Sequence, residues 1–331
     1  MWLSVGGPRG RHRFSINSDS VFFFAICELT VPIAMNFFKK ILKRGPKVEK
    51  VDLSKRFDLI TRVGQGSMSK VWRAMDRISG RVVAVKVLDK AKLIRLEKRF
   101  VGMKKPVEGE VAISLRHPNI VKTIEHGLTS NDEQYLVMEF IEGRGFSYYV
   151  DQQNEVMHAN RLRFMVQMGR ALAYVHEQGY IHRDICPRNV VVTEDLNLKL
   201  IDFGLTVPDT PEFRAPGNRT GTAAYMAPEL VMRQTTDQRL DIFSYAVSCY
   251  EMCAHAYPWI TGDTLESVLE HVNRPPKPLK KFVPNIDEEL SEIIMKGLAR
   301  YPDDRWRTTV QMVREIQKVQ RRLEPANADD E

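Results

Sequence analysis

The sequence predicts an α+β protein of two coupled lobes, a small β-rich lobe followed by a larger, mainly helical one. Three observations carry this expectation. At 331 residues the chain is long for one small module, since domains run roughly 100 to 200 residues. Short β-branched runs crowd residues 57–87, whereas apolar residues at helical spacing dominate from residue 162 onward. The apolar fraction of 43% beside 27% charged residues is ample for a core and argues against a disordered or collagen-like chain.

The formal charge of +7 is unevenly placed. Residues 1–56 hold eleven basic and four acidic side chains, so residues 57–331 carry 38 of each sign. A neutral body without an aromatic-rich binding motif argues against a nucleic-acid module. Cys27, Cys186, Cys249 and Cys253 are too few and too irregular for a disulfide framework, and no CxxC pair suggests zinc. Cys249 and Cys253, four apart in an apolar stretch, read as buried thiols. A reducing, cytoplasmic setting fits this usage.

Residues 1–56 form a basic leader. Its apolar run 21–34 follows Arg9, Arg11 and Arg13 as in a signal peptide, but Glu28 and Pro32 interrupt it, and it is shorter than the roughly 20 residues of a membrane span. Met35 as the translation start, with residues 1–34 upstream of it, is an equal alternative. From Met35, Phe37, Phe38, Ile41 and Leu42 share one helical face and Lys39, Lys40, Lys43 and Arg44 surround the other. Residues 35–44 therefore read either as a peripheral membrane helix or as a helix that frays or docks on its own domain. Liposome flotation of the full chain against one starting at Val51 separates these readings.

In the body, Phe57, Leu59, Thr61 and Val63 alternate as a half-buried strand does, and GQGSMSKVW follows. Gly64 and Gly66 permit a tight turn whose amides close over phosphates, with Val71 starting the return strand; a plain hairpin is the other reading of such a glycine pair. After the Ser79-Gly80 turn, Val82, Val83, Ala84, Val85 and Val87 make a third strand with Lys86 inside it. A lysine in such a run needs an anion to meet it. IHRDICPRN (181–189) and LKLIDFG (198–204) bring Asp184, Asn189 and Asp202 from neighbouring loops, an oxygen-rich set suited to a hard divalent cation. GTAAYMAPE (221–229), LDIFSYAV (240–247) and DDRWR (303–307) follow in order. Leu162, Met165, Val166, Leu172 and Val175, then Leu290, Ile293, Ile294 and Leu298, repeat at helical spacing and read as core. Residues 323–331 form a short acidic tail.

Carried by these motifs, residues 57 to about 320 resemble a eukaryotic-type protein kinase catalytic domain. The resemblance implies the bilobal protein kinase fold, with a small lobe and hinge over 57–141, one regulatory helix in it, and a large lobe over 142–322. It implies ATP and magnesium, with manganese an alternative, and protein substrates. Gly64 and Gly66 would cover the phosphates and Lys86 would hold them. Glu108 is the expected helical partner of Lys86, ahead of Glu110, with Val111, Ala112 and Leu115 facing the core. Val71 and Ala84 would flank adenine, the backbone of Glu139 and Ile141 would read its edge, and Met138 would stand as gatekeeper. Asp184 would orient the acceptor hydroxyl and take its proton, and Asn189 and Asp202 would bind metal. Glu229 and Arg305 would form a buried ion pair, and Asp241 would cap a helix beneath the catalytic loop.

Two departures bear on mechanism. Ser69 replaces the third glycine of the phosphate loop. Cys186 stands where Ser/Thr kinases usually carry a lysine, and Arg188 sits where many tyrosine kinases carry arginine and supplies a candidate charge. Ala223-Ala224-Tyr225, in the segment that touches the acceptor, favours Ser/Thr over Tyr or dual specificity. Arg183 implies a basic pocket for a phosphate on the activation segment, with Thr206, Thr210, Thr220 and Thr222 available; Thr220 is the candidate, because Thr222 is expected to engage Asp184. A non-catalytic pseudokinase or ATP-binding scaffold is the alternative reading, and it would be favoured by loss of Lys86, Asp184, Asn189 or Asp202. A small-molecule phosphotransferase is disfavoured by Met226–Glu229 and Asp241.

Overall fold

The computed structural model describes residues 50–65, 68–100, 102–217, 219–260, 269–270 and 272–324. Gly66, Cys27, the segments 21–34 and 35–44, and residues 325–331 of the acidic tail lie outside them. The strands β1 (Phe57–Gln65), β2 (Ser69–Asp76), β3 (Arg81–Leu88), β4 (Thr123–Leu128) and β5 (Gln134–Glu139) form one antiparallel sheet in the order β1-β2-β3-β5-β4. The β2–β3 turn closes because the Asp76 carboxylate accepts from Ile78 N and Ser79 Oγ, while Gly80 takes φ 65°. β3 is the central strand, which accounts for the burial of Val83, Ala84 and Val85.

The alternation expected in β1 holds only at Phe57, which is buried; Leu59 and Val63 are 48% and 49% exposed. β1 is an edge strand with one neighbour, and register shifts at Leu59/Thr61 and Arg62/Gly64 break its two-residue period.

Although the sequence reading put residues 50–56 in the leader, they pack on this sheet. Val51 N donates to Leu128 O and Val51 O accepts from Ser130 N. Val51 and Leu53, the latter opening the short helix α1 (Leu53–Arg56), pack against Phe57, Ala74, Val83, Val85, Tyr135 and Val137. Arg56 forks onto Glu125 at 2.6 and 2.9 Å, and Tyr135 Oη donates to the same carboxylate. The Arg56 hydrogen bond holds the Glu125 carboxyl below its ordinary value.

Two further helices follow β3. α2 (Lys90–Glu97), capped by Asp89 accepting from Lys92 N, is additional to the single helix read from the sequence. α3 (Glu108–Ser114) turns Val111 and Ala112 inward, with Leu115 just beyond, all buried.

The large lobe starts with β6 (Gly143–Gly145), α4 (Phe146–Gln152) and α5 (Glu155–Glu177). Asn154 caps α5 by accepting from Met157 N, and its apolar stripe Leu162, Met165, Val166, Leu172 and Val175 is buried. The loops carrying the motifs lie among β7 (Tyr180–Ile181), β8 (Val190–Thr193), β9 (Leu198–Leu200) and β10 (Val207–Pro208). Beyond them come α6 (Pro211–Arg214), α7 (Pro228–Val231), α8 (Arg239–Ala254), α9 (Glu288–Gly297) and α10 (Thr309–Leu323). α8 is buried from Leu240 to Cys253, and α5 and α9 pack against it. Burial pushes the Cys253 thiol up to about 12 and Cys249 well above its ordinary value, as expected of inert core thiols. Leu290, Ile293, Ile294 and Leu298 are buried as read. Among the described residues no helix is long and apolar enough to cross a membrane.

Candidate functional site

Lys86 sits on the central strand and is only 4% exposed. Burial alone would drive its proton off, so the local sequence requires carboxylates there. Glu108 Oε1 lies 2.6 Å and Asp202 Oδ1 3.1 Å from its Nζ. Burial pulls the Lys86 pKa down, but the two carboxylates outweigh it and the net shift is upward, so the ammonium stays charged. Burial raises Glu108 against the pull of Lys86. For Asp202, Lys86 and the Gly204 N–H outweigh burial and hold the carboxyl low. Glu110, the other carboxylate of α3, instead accepts from Val107 N at 3.2 Å and closes the start of that helix.

The loop from Ile181 to Asn189 is held from below. Asp241 is fully buried; its Oδ2 accepts from His182 N and its Oδ1 from Arg183 N, both at 2.7 Å, and His176 Nε2 lies 2.9 Å from Oδ2. The expectation that Asp241 caps a helix is therefore corrected: it lies in the first turn of α8, and its free oxygens take loop amides. Those two bonds hold Arg183 at φ 68°, a left-handed conformation that few non-glycine residues adopt. His182, 5.4 Å from Phe203 edge to face, stands beside both Asp184 and Asp202.

Asp184 Oδ2 accepts from Asn189 Nδ2 and Oδ1 from Thr222 N, each at 2.8 Å. Thr222 thus meets Asp184 through its amide. Asn189 Nδ2 also donates to Asp184 O, which leaves its amide oxygen available. Cys186 is buried beside Thr222, with Sγ 4.0 Å from Thr222 Oγ1, and burial with the nearby Asp184 pushes its thiol up to about 11. The position is uncharged at neutral pH. Arg188, exposed, stands next to Cys186 and near Tyr225 and Tyr257.

The nucleotide-facing positions lie on adjoining strands. Gly64 pairs with Val71, Val71 with Lys86, and Ala84 with Met138. Glu139 ends β5; its carboxylate accepts from Lys122 N and Lys199 Nζ, both at 2.8 Å, and its N–H donates to Lys122 O. Ile141 follows, half-buried, on the path to the large lobe.

Sequence reasoning missed one cluster. Tyr225 Oη donates to Glu251 Oε2 at 2.5 Å and lies 3.4 Å from Tyr257 Oη, and burial raises the Glu251 carboxyl. The available signal was an acid, Glu251, inside the apolar run 242–254 of α8. Farther off, Arg305 forks onto Glu229 with two 2.7 Å bonds, both residues 3% exposed.

A family model described as protein kinase domain matches residues 57–317. A probable serine/threonine-protein kinase of Clostridium perfringens is 30% identical over 270 residues, covering 81% of this chain and 39% of the relative. Serine/threonine-protein kinase PknB of Mycolicibacterium smegmatis is 30% identical (81% and 43% covered), and PrkC of Bacillus subtilis 28% (80% and 40% covered). The chain thus spans about two-fifths of the length of these relatives. With the matched segment reaching from β1 into α10 and enclosing every motif described above, the chain belongs to the protein kinase family.

Proposed function

We propose that this chain is an ATP-dependent protein kinase that transfers the γ-phosphoryl group to serine and threonine hydroxyls of proteins. The observation that carries this reading is the buried Lys86, held charged between Glu108 and Asp202, with Asp184 and Asn189 in the adjoining loop. In that role Lys86 binds the α- and β-phosphates and Glu108 keeps its ammonium aimed at them. Gly64 and Gly66 cover the phosphates, Val71 and Ala84 flank adenine, and Glu139 and Ile141 read its edge. The Glu139 N–H is already engaged, which leaves its carbonyl for that contact.

The Asp184 carboxylate, fixed by two donors, orients the acceptor hydroxyl and takes its proton as the new O–P bond forms and the bond to the β-phosphate oxygen breaks. The Asn189 amide oxygen and the Asp202 carboxylate, whose side chain is 40% exposed, are hard oxygen donors and fit a divalent cation. Magnesium, with manganese the alternative, would be held by these two residues and would supply charge to neutralise the phosphates. With Cys186 neutral, Arg188 beside it is the candidate cation on the acceptor side of the loop, and its presence is what favours a second reading of tyrosine or dual specificity. Incubation with γ-labelled ATP and magnesium followed by phospho-amino-acid analysis is expected to give phosphoserine and phosphothreonine. A tyrosine-only product would overturn the Ser/Thr assignment.

Regulation through the activation segment belongs to the same proposal. The Arg183 guanidinium is buried, donates through Nη2 to Phe213 O, and has no partner for Nε and Nη1 among the described residues. Two buried N–H donors without acceptors suit a phosphate. The Thr220 hydroxyl is also buried and has no partner among the described residues, so the segment must open for it to be modified. Thr220→Ala is expected to reduce activation by about tenfold, the coupling range of such switches; normal activation of the variant would exclude Thr220.

A further inference from the structure

We propose that His126 is a positioning residue for the Lys86–Glu108 pair, setting the depth of α3 on the sheet through direct contact with Gly109. This rests on the phosphotransfer reading above. Register supports it first: Lys86 of β3 pairs with Leu136 of β5, and Leu136 pairs with His126 of β4. Directly paired residues point to the same face of a sheet. Lys86 and His126 therefore stand on one rung, two strand spacings apart, about 10 Å at ~4.8 Å per spacing.

The second support is packing. Glu108 opens α3 and Gly109 follows it. A Cβ built on Gly109 would lie 2.4 Å from His126 Cγ, 2.5 Å from its Cβ and 2.7 Å from its Nδ1. Ring rotation leaves Cβ where it is, so the helix backbone rests on the root of the histidine side chain. Glycine weakens a helix interior relative to alanine, and this close approach is what requires it here.

The rung and the helix close a loop: Lys86, Leu136, His126, Gly109, then Glu108 back onto Lys86 at 2.6 Å. Both ends of that last bond are buried, at 4% and 6% exposure. Lifting α3 at Gly109 moves the neighbouring Glu108 off a buried ammonium and leaves it to Asp202 alone.

The test uses the full chain, reading Kd for magnesium-ADP together with kcat and KM for ATP in wild type, Gly109→Ala, Gly109→Ala/His126→Gly, Gly109→Ala/His126→Ala, Glu108→Gln and Glu108→Gln/Gly109→Ala, with thermal melts confirming folding. Gly109→Ala is expected to lower kcat/KM by about 10- to 100-fold, the scale of an ångström misplacement. His126→Gly should recover most of that loss, whereas His126→Ala, which keeps the clashing Cβ, should not. The Glu108→Gln/Gly109→Ala double variant should lose no more than Glu108→Gln alone, because both changes act on one contact. Losses that multiply, or equal rescue by His126→Gly and His126→Ala, would overturn the proposal. Absence of phosphotransfer in the wild type would remove the kinase reading, while the nucleotide Kd series would still decide the role of His126.

Discussion

Asp202→Ala is expected to lower phosphoryl transfer by about 10³-fold or more, since it removes preorganised charge at the reacting phosphates, with little change in melting temperature. The side chain is 40% exposed, so its removal opens no cavity. Its Oδ1 accepts from Lys86 and Gly204 N, and its charge, with that of Glu108, raises the Lys86 pKa against burial. Glu108 alone still neutralises the lysine, so the variant loses function before fold. Initial rates with γ-labelled ATP and magnesium, compared at matched folded fraction, measure this. Equal incorporation of label by variant and wild type would end the enzyme reading.

Arg305→Met is expected to destabilise the chain by about 3–5 kcal/mol, the penalty for leaving one member of a buried ion pair unpaired. Glu229 would lose both 2.7 Å bonds inside the large lobe. The carbonyls of Ala299, Arg300 and Arg239 would lose donors as well, and Phe243 the guanidinium over its ring at 4.9 Å. Urea unfolding measures the loss, and Arg305→Met/Glu229→Met should recover a large part of it, since the apolar pair strands no charge. A loss below about 1 kcal/mol, the range of exposed pairs, would contradict this.

Local pattern made much of the fold legible. The β-branched run around Lys86, the stripe of α5 and the seam of α9 follow from side-chain periodicity, which is a property of neighbouring residues. β1 was legible as a strand but not in its burial, because the position of a strand in a sheet is not local. Residues 50–56 read as leader by charge, yet Arg56 finds Glu125, itself held by Tyr135, across the sheet, a match visible only after β4 and β5 are paired.

The sequence alone determined which residue types were available for chemistry and on which elements they ride: a lysine on a strand, carboxylates at loop ends, a neutral body that follows a basic leader in the chain. The tertiary structure decided which of them meet. It chose Glu108 over Glu110 for Lys86 by the direction in which α3 faces the sheet. It turned Asp241 from a helix cap into a brace for the catalytic loop, buried Cys186 beside Thr222 between Asp184 and Arg188, and set Gly109 against His126. The physical reason is common to all four. Hydrogen bonding, desolvation and steric contact act over a few ångströms, and those distances join residues far apart in the chain only once the core has packed.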